Sequence, residues 1–504
     1  MATQALSRET LHRKTMGCWL GKAVGGTLGQ NFEGQEGPLA ATFYTPVPDE
    51  MIPNDDLDIQ VVWAYLLDRE ERPRVSRDLL RTGWLEHIEF PWNEYGVGIR
   101  NLRAGIRPPW SGSHDNWYRN GEGAVIRTEI WACLAAGDPE LAARYAYEDA
   151  CIDHADDGLN AALFMASIEA AAFTESDVDA LLDIGMSAIP ADSVLARTVA
   201  DTRKWCAEGL DWQEVRAHVM QEYGSVDFTD VRMNTAFFVI GWLLGRDFSE
   251  RILICNNCGQ DTDSSTASLG AVLGIIDPDG IPQEWLEPIG RDLVLSPEIV
   301  GIEHPATLDG FTDLVLDLRE RIDYAEPEFD DPGPAPVAGL AVQLGFTDFL
   351  DRAHIGSRFL PKPHEAMPEM PAGTRETYLD GTVHRMARAD FESDVAVINY
   401  RFRVDSDRRV RVMFNTTEQM IAWLDGEFAF ARETGGRGEA GSMCPAVHGP
   451  PVNQSVVRSL SAGEHELRVL VRRPVQQREA EWVVGCADPQ TGMWLDGAFD
   501  NVIG

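Results

Sequence analysis

The stretch that decides the fold runs Asn256-Asn257-Cys258-Gly259-Gln260-Asp261-Thr262-Asp263-Ser264 and continues Ser265-Thr266-Ala267-Ser268-Leu269-Gly270-Ala271-Val272-Leu273-Gly274. Asp261 and Asp263 open a helix made almost wholly of small residues. Such a helix can sit deep in a domain. Carboxylates at that depth are costly unless something positive meets them, so a cation is their natural partner. Cys255 and Cys258 form a CxxC, but no second CxxC completes a zinc site. They read as buried, reduced thiols.

A second acidic helix start lies about 200 residues upstream, in Pro53-Asn54-Asp55-Asp56-Leu57-Asp58. Asn54 suits an N-cap, and the first-turn carboxylates face the positive end of the helix dipole. Alone, this is ordinary capping. If the two starts converge, they offer oxygen ligands only, which select Mg²⁺, Mn²⁺ or Ca²⁺ over zinc. Several carboxylates together can hold two metals.

The opening helix carries Gly17, Gly21, Gly25 and Gly29 four residues apart, on one face. Each interior glycine costs roughly 1 kcal/mol relative to alanine. The stripe predicts another helix packed against it backbone to backbone. Its end, running into Gln30-Asn31-Phe32-Glu33-Gly34, is also a candidate pocket wall.

Composition narrows the partners. The 504 residues include 81 acidic and 43 basic ones, a net charge of −38. Lysine is nearly absent. So negative a surface repels nucleic acid and anionic lipid, so neither is expected as a partner. No apolar run of membrane-spanning length and no secretory leader occur, and a cytoplasmic location is expected. Eight scattered cysteines are too few for a disulfide scaffold.

Helical spacing recurs over residues 1–325; Ile59, Val62, Trp63, Leu66 and Leu67 share one face. About fifteen helices in one all-α domain are expected. Residues 326–372 are proline-rich and read as connecting chain, with room for a strand or short helix within 337–360. From 373 to 504 the period becomes two: Tyr400, Phe402 and Val404 alternate with Arg401 and Arg403, and Leu467, Val469 and Val471 follow suit, although Leu470 breaks the pattern. Asp425-Gly426 signals a hairpin, and 434–451 reads as a long loop. A C-terminal β-sandwich is expected.

Taken in order, the Gly17–Glu33 segment, the Asn54-Asp55-Asp56 segment and the Gly259–Ser264 segment resemble the ADP-ribosylglycohydrolase family, which includes the dinitrogenase reductase-activating glycohydrolase. Asn120-Gly121-Glu122-Gly123-Ala124-Val125-Ile126-Arg127 resembles that family's glycine–arginine segment more loosely. The resemblance covers residues 10–290. It implies an all-α domain around two Mg²⁺ or Mn²⁺ ions, with Asn54, Asp55, Asp56, Asp261, Asp263 and Ser264 as metal ligands. Asn54 stands where the family commonly has threonine. Glu33 matches a glutamate near the reacting ribose, and His154 falls where the family often has a histidine beside the substrate. Gly123 and Asn31 are further substrate-binding candidates. The implied reaction is hydrolysis at the anomeric carbon of a ribose-like sugar, with Glu33 or Asp56 as general base. Asp156 and Asp157 are candidates for the proton donor.

The substrate stays open between an ADP-ribosyl group on a protein or small molecule and a neutral pentofuranoside or nucleoside-like compound. A non-catalytic metal- or ligand-binding homologue is a third possibility. The C-terminal region resembles accessory jelly-roll-like domains of carbohydrate-active enzymes, which makes carbohydrate a candidate partner. Trp423 is either a sugar-stacking platform or a core residue. Trp92, Trp110, Trp117 and Tyr118 mark either a substrate-covering loop or a surface loop pinned by its aromatics.

Overall fold

The structure is a computed structural model. It describes residues 6–225, 227–325, 331–348, 366–379, 381, 383–416, 418–432, 455–474, 479–495, 498 and 502–503. The 434–451 loop reading and Cys444 lie outside these. The chain forms two compact units. The first comprises residues 1–89, 107–113 and 118–332; the second comprises 90–106, 114–117 and 333–504.

The first unit is helical. Its centre is the pairing of the opening helix, Arg8–Gly29, with Thr262–Ile276. The glycine stripe explains that pairing. A Cβ built on Gly21 would lie 2.0 Å from the Gly270 carbonyl oxygen, and one on Gly17 would lie 2.2 Å from that of Gly274. The glycines of the second helix return the constraint: a Cβ on Gly270 would meet the Gly21 carbonyl oxygen at 2.1 Å. The stripe is therefore a backbone-to-backbone seam.

The Asp55–Asp68 helix is buried nearly all round, so Ile59, Val62, Trp63, Leu66 and Leu67 belong to a core element rather than an amphipathic one. The helices Val231–Leu244 and Asp156–Ala172 complete the layer around the seam. Alanine-rich 188–205 is helical only from Val194, where Ser193 caps the start.

The second unit is an antiparallel β-sandwich. One sheet has six strands, in the order Glu427–Arg432, Met420–Leu424, Gly463–Arg472, Val395–Val404, Leu340–Thr347, Arg375–Leu379. The other has four, in the order Ser455–Leu460, Arg408–Thr416, Glu479–Ala487, Val383–Ala387. The first strand of the six-stranded sheet in chain order, Leu340–Thr347, thus falls inside the proline-rich stretch.

Tyr400, Phe402, Val404, Leu467, Val469 and Val471 face the inter-sheet core, as the alternation predicts. Leu470 breaks the pattern because the other face is covered too. It packs with Val395, Val397, Ile421 and Trp423, beneath Met367 and Met370. Trp423 is fully buried there, which removes it as a sugar platform. Asp425 and Gly426, both at positive φ, form the expected two-residue turn between paired Leu424 and Glu427.

Of the four loop aromatics, Trp110 and Tyr118 belong to the first unit and Trp92 and Trp117 to the second. The Arg385 guanidinium lies 4.4 Å from the centroid of the Trp117 ring. Among the described residues, no helix is long and apolar enough to cross a membrane.

Candidate metal centre

Three chain segments meet at the N-terminal end of Thr262–Ile276. The first is the end of the opening helix. A Cβ on Gly29 would lie 2.3 Å from the Asp263 nitrogen, and the Thr262 hydroxyl donates to the Gly29 carbonyl at 2.8 Å. The chain then turns at Gly34, whose N–H donates to the Gln260 carbonyl. Gln35 and Glu36 pair with Gln260 and Gly259, both of which take the left-handed conformation. This small ladder brings Glu33 beside Asp261. Ligand oxygens of Glu33, Asp261 and Asp263 lie within 4.8 Å of one another.

The second segment is the start of Asp55–Asp68. Asn54 caps it, its side-chain oxygen accepting from the Asp56 N–H at 2.9 Å. The same amide's nitrogen donates to Asp263 at 3.2 Å. The two acidic helix starts therefore meet. Asp55 is half-buried and Asp56 buried. The Ser264 hydroxyl donates to Asp261 at 2.6 Å.

Burial pushes the Asp56 carboxyl well above its ordinary range, with Asp263, Asp55 and Glu129 adding to the rise and Lys22 opposing it. Asp261 is raised by burial, then by Glu122, Asp263 and Glu33. Carboxylates that repel one another at this depth are costly, and a positive charge between them would relieve that cost. Lys22 supplies one fixed charge: its ammonium lies 2.7 Å from Glu129 and 3.5 Å from Asp56, all three buried. Burial disfavours the Lys22 charge, but Glu129 and Asp56 outweigh it and raise its pKa.

The third segment is the Asn120–Arg127 turn. Gly121 bridges to Asp230, and the Asn120 carbonyl accepts from the Val231 N–H. Fully buried Arg127 donates to Asp149, to Asp153 at 2.6 Å and to the Gly123 carbonyl at 2.5 Å. His154 is buried in this network. Its Nδ1 lies 2.8 Å from Asp153, and its Nε2 accepts from the Ala124 N–H at 3.2 Å. Both ring nitrogens are committed to the chain itself.

Asn31 is exposed, its carbonyl accepting from the Gln35 amide. Asp156 is held by Arg119 at 2.6 Å, and Asp157, in the first turn of Asp156–Ala172, accepts from the Asn160 side-chain nitrogen at 3.3 Å. Cys255 and Cys258 are buried free thiols.

Sequence reasoning passed over Lys22, Glu129 and Glu122. Only Glu122 had a signal, as an acidic residue between two glycines in a stretch already singled out.

Residues 7–320 match the family model described as ADP-ribosylglycohydrolase. The chain belongs to the ADP-ribosylglycohydrolase family.

An uncharacterized protein of Archaeoglobus fulgidus is 25% identical over 293 residues, 55% of this chain and 92% of its own length. A solved structure described as an ADP-ribosylglycohydrolase-related protein complex is 19% identical, with a TM-score of 0.44, covering 62% of this chain and 99% of its own. Membership of the ADP-ribosylglycohydrolase family supports a glycohydrolase-type activity, and the helical unit has that family's fold. The family usually depends on divalent metal, and the acidic cluster lies within the matched residues.

Proposed function

We propose that the chain is a metal-dependent hydrolase that cleaves a glycosidic bond at C1 of a ribose-like sugar, an ADP-ribosyl group on a protein or small molecule being the substrate. The observation that carries this is the convergence of Glu33, Asp261 and Asp263 within 4.8 Å, with Asn54 joining Asp263 to the Asp55-Asp56 helix start.

The donor set suits Mg²⁺ or Mn²⁺. It is all oxygen, and Asp56 Oδ1 is buried with no hydrogen-bond partner among the described residues. Asp55, Asp56, Asp261 and Asp263 would hold the cations, with Ser264 and Asn54 supporting them. When bound, two divalent cations supply orientation of the ring hydroxyls and acidification of a water.

The chain's own carboxylates do the rest. Their negative field stabilises the oxocarbenium-like charge that develops on the ring. Glu33, on its turn beside Asp261, accepts the proton of the attacking water. A cavity of about 20 Å³ lined by Lys22, Gly26, Asn54, Asp56 and Asp58 has room for one water beside Asp56. His154 contributes by fixing Ala124, and through it the Gly123 turn, rather than by touching substrate.

One observation favours the neutral-glycoside reading. The buried cations Lys22 and Arg127 and the half-buried Arg232 are each already held by carboxylates, which leaves them poorly placed to bind a diphosphate.

A divalent-metal assay separates the two. ADP-ribosyl-arginine, ADP-ribosyl-serine and O-acetyl-ADP-ribose are compared with a panel of pentofuranosides. Turnover of the first set, lost in Asp261→Asn, supports the proposal. Turnover of the second set alone moves the activity to neutral glycosides. Metal binding without turnover of either set contradicts an enzymatic role.

A further inference from the structure

Glu122 lies on the turn that Gly121 ties to Asp230. It is only 3% exposed, and its Oε2 has no hydrogen-bond partner among the described residues. Its position is fixed from both sides. Gly121 bridges to Asp230, at the start of Val231–Leu244. One turn further along that helix, the Asn234 side-chain oxygen accepts from the Asp261 N–H. On the other side, Arg127 grips the Gly123 carbonyl while anchored on Asp149 and Asp153. The turn cannot easily swing the carboxylate away.

The electrostatics of Glu122 agree with that placement. After burial, Asp56 and then Asp263 do most to raise its pKa, and Glu122 is the largest charge acting on Asp261. A buried carboxylate among other carboxylates, with an oxygen left unbonded, is strongly unfavourable unless a cation sits before it.

We propose that Glu122 is a further carboxylate ligand of the cation centre, reaching it from the turn that Gly121 and Arg127 hold in place. This rests on the metal-centre reading above. Glu122 adds negative charge to a centre whose buried cation Lys22 is shared with Glu129. It therefore tightens cation binding, since ligand charge count tunes the affinity of oxygen-donor sites.

The test uses the full-length chain, stripped with a chelator and titrated with Mn²⁺ alone by calorimetry, with thermal unfolding followed in parallel. Glu122→Gln is expected to weaken Mn²⁺ binding by about tenfold or more. In the metal-free chain the same variant is expected to raise the unfolding midpoint by about 2 °C or more, because one repelling charge is gone. A merely structural role would lower that midpoint. Unchanged affinity, or weaker binding with a lowered metal-free midpoint, overturns the role of Glu122 alone. No Mn²⁺ binding by the unsubstituted chain overturns the metal centre itself. Should Glu122→Gln fail to fold, Glu122→Asp keeps the charge but retracts it; weaker binding there supports the proposal, and unchanged binding overturns it.

Discussion

The side-chain nitrogen of Asn54 lies 3.2 Å from a carboxylate oxygen of Asp263, a contact that spans 209 residues of chain. One amide thus caps one helix and holds the acidic start of another. Replacing Asn54 with alanine removes both bonds. The cap alone is worth about 1 kcal/mol. Asn54→Asp keeps the cap but sets a new carboxylate against Asp263. The metal-free Asn54→Asp chain is expected to unfold at a lower temperature than the parent, with added Mn²⁺ recovering most of the loss. Calorimetric scans with and without metal check this.

The glycine seam gives a sharper contrast. Gly21→Ala drives a Cβ to 2.0 Å from the Gly270 carbonyl oxygen, and neither backbone has room to yield. A loss of about 3 kcal/mol or more is expected in denaturant unfolding. Gly26, in the same helix, meets only the Asn54 side chain at 3.5 Å and the Ala267 Cβ at 3.8 Å. Gly26→Ala is expected to be neutral or to stabilise by up to about 1 kcal/mol through helix propensity. Similar losses in both variants would contradict the seam.

Lys22→Met strands Glu129 and Asp56, both buried, without their cation. Breaking such a pair costs about 3–5 kcal/mol. Adding Glu129→Gln to Lys22→Met removes one stranded charge and is expected to restore part of the loss. Equal stability of the single and double variants would show that the Lys22–Glu129 pair is not the cause.

A pH effect is expected in the sandwich, remote in sequence from the acidic cluster. His465 Nδ1 lies 2.7 Å from Asp425, and its Nε2 lies 2.9 Å from the Ser461 carbonyl. Burial opposes the imidazolium, but the Ser461 carbonyl and the Asp425 carboxylate outweigh it and raise the pKa. A raised folded-state pKa means that the stabilisation is complete below the unfolded value, about 6.5, and is lost as pH rises through the folded value. Hydrogen exchange of the 420–432 hairpin, corrected for intrinsic rates, is expected to quicken as pH rises above neutrality. His465→Gln should abolish that dependence.

The sequence displayed the seam and both aspartate pairs because each is a local pattern: glycines at fixed spacing, and acids beside a cap. Asp425-Gly426 was legible for the same reason. Glu122 was not, because nothing local distinguishes a glutamate in a glycine turn until Asp230 and Asp261 are brought up to it. Lys22 sits inside the glycine stripe, and its partner Glu129 is 107 residues away. The burial of Trp423 depends on Met367 and Met370 covering the outer face of the sheet, a contact that strand alternation does not encode. The grouping of 90–106 with the C-terminal strands likewise rests on long-range packing, including Arg100 stacked 5.0 Å from the centroid of the Trp494 ring.

On this reading the two aspartate pairs meet in order to hold divalent cations. Anomalous diffraction from crystals soaked in Mn²⁺ tests it most directly. Manganese peaks bounded by Asp55, Asp56, Asp261 and Asp263, and absent from Asp261→Asn crystals, are the predicted result. No manganese among these four carboxylates in crystals of the unsubstituted chain would contradict the account.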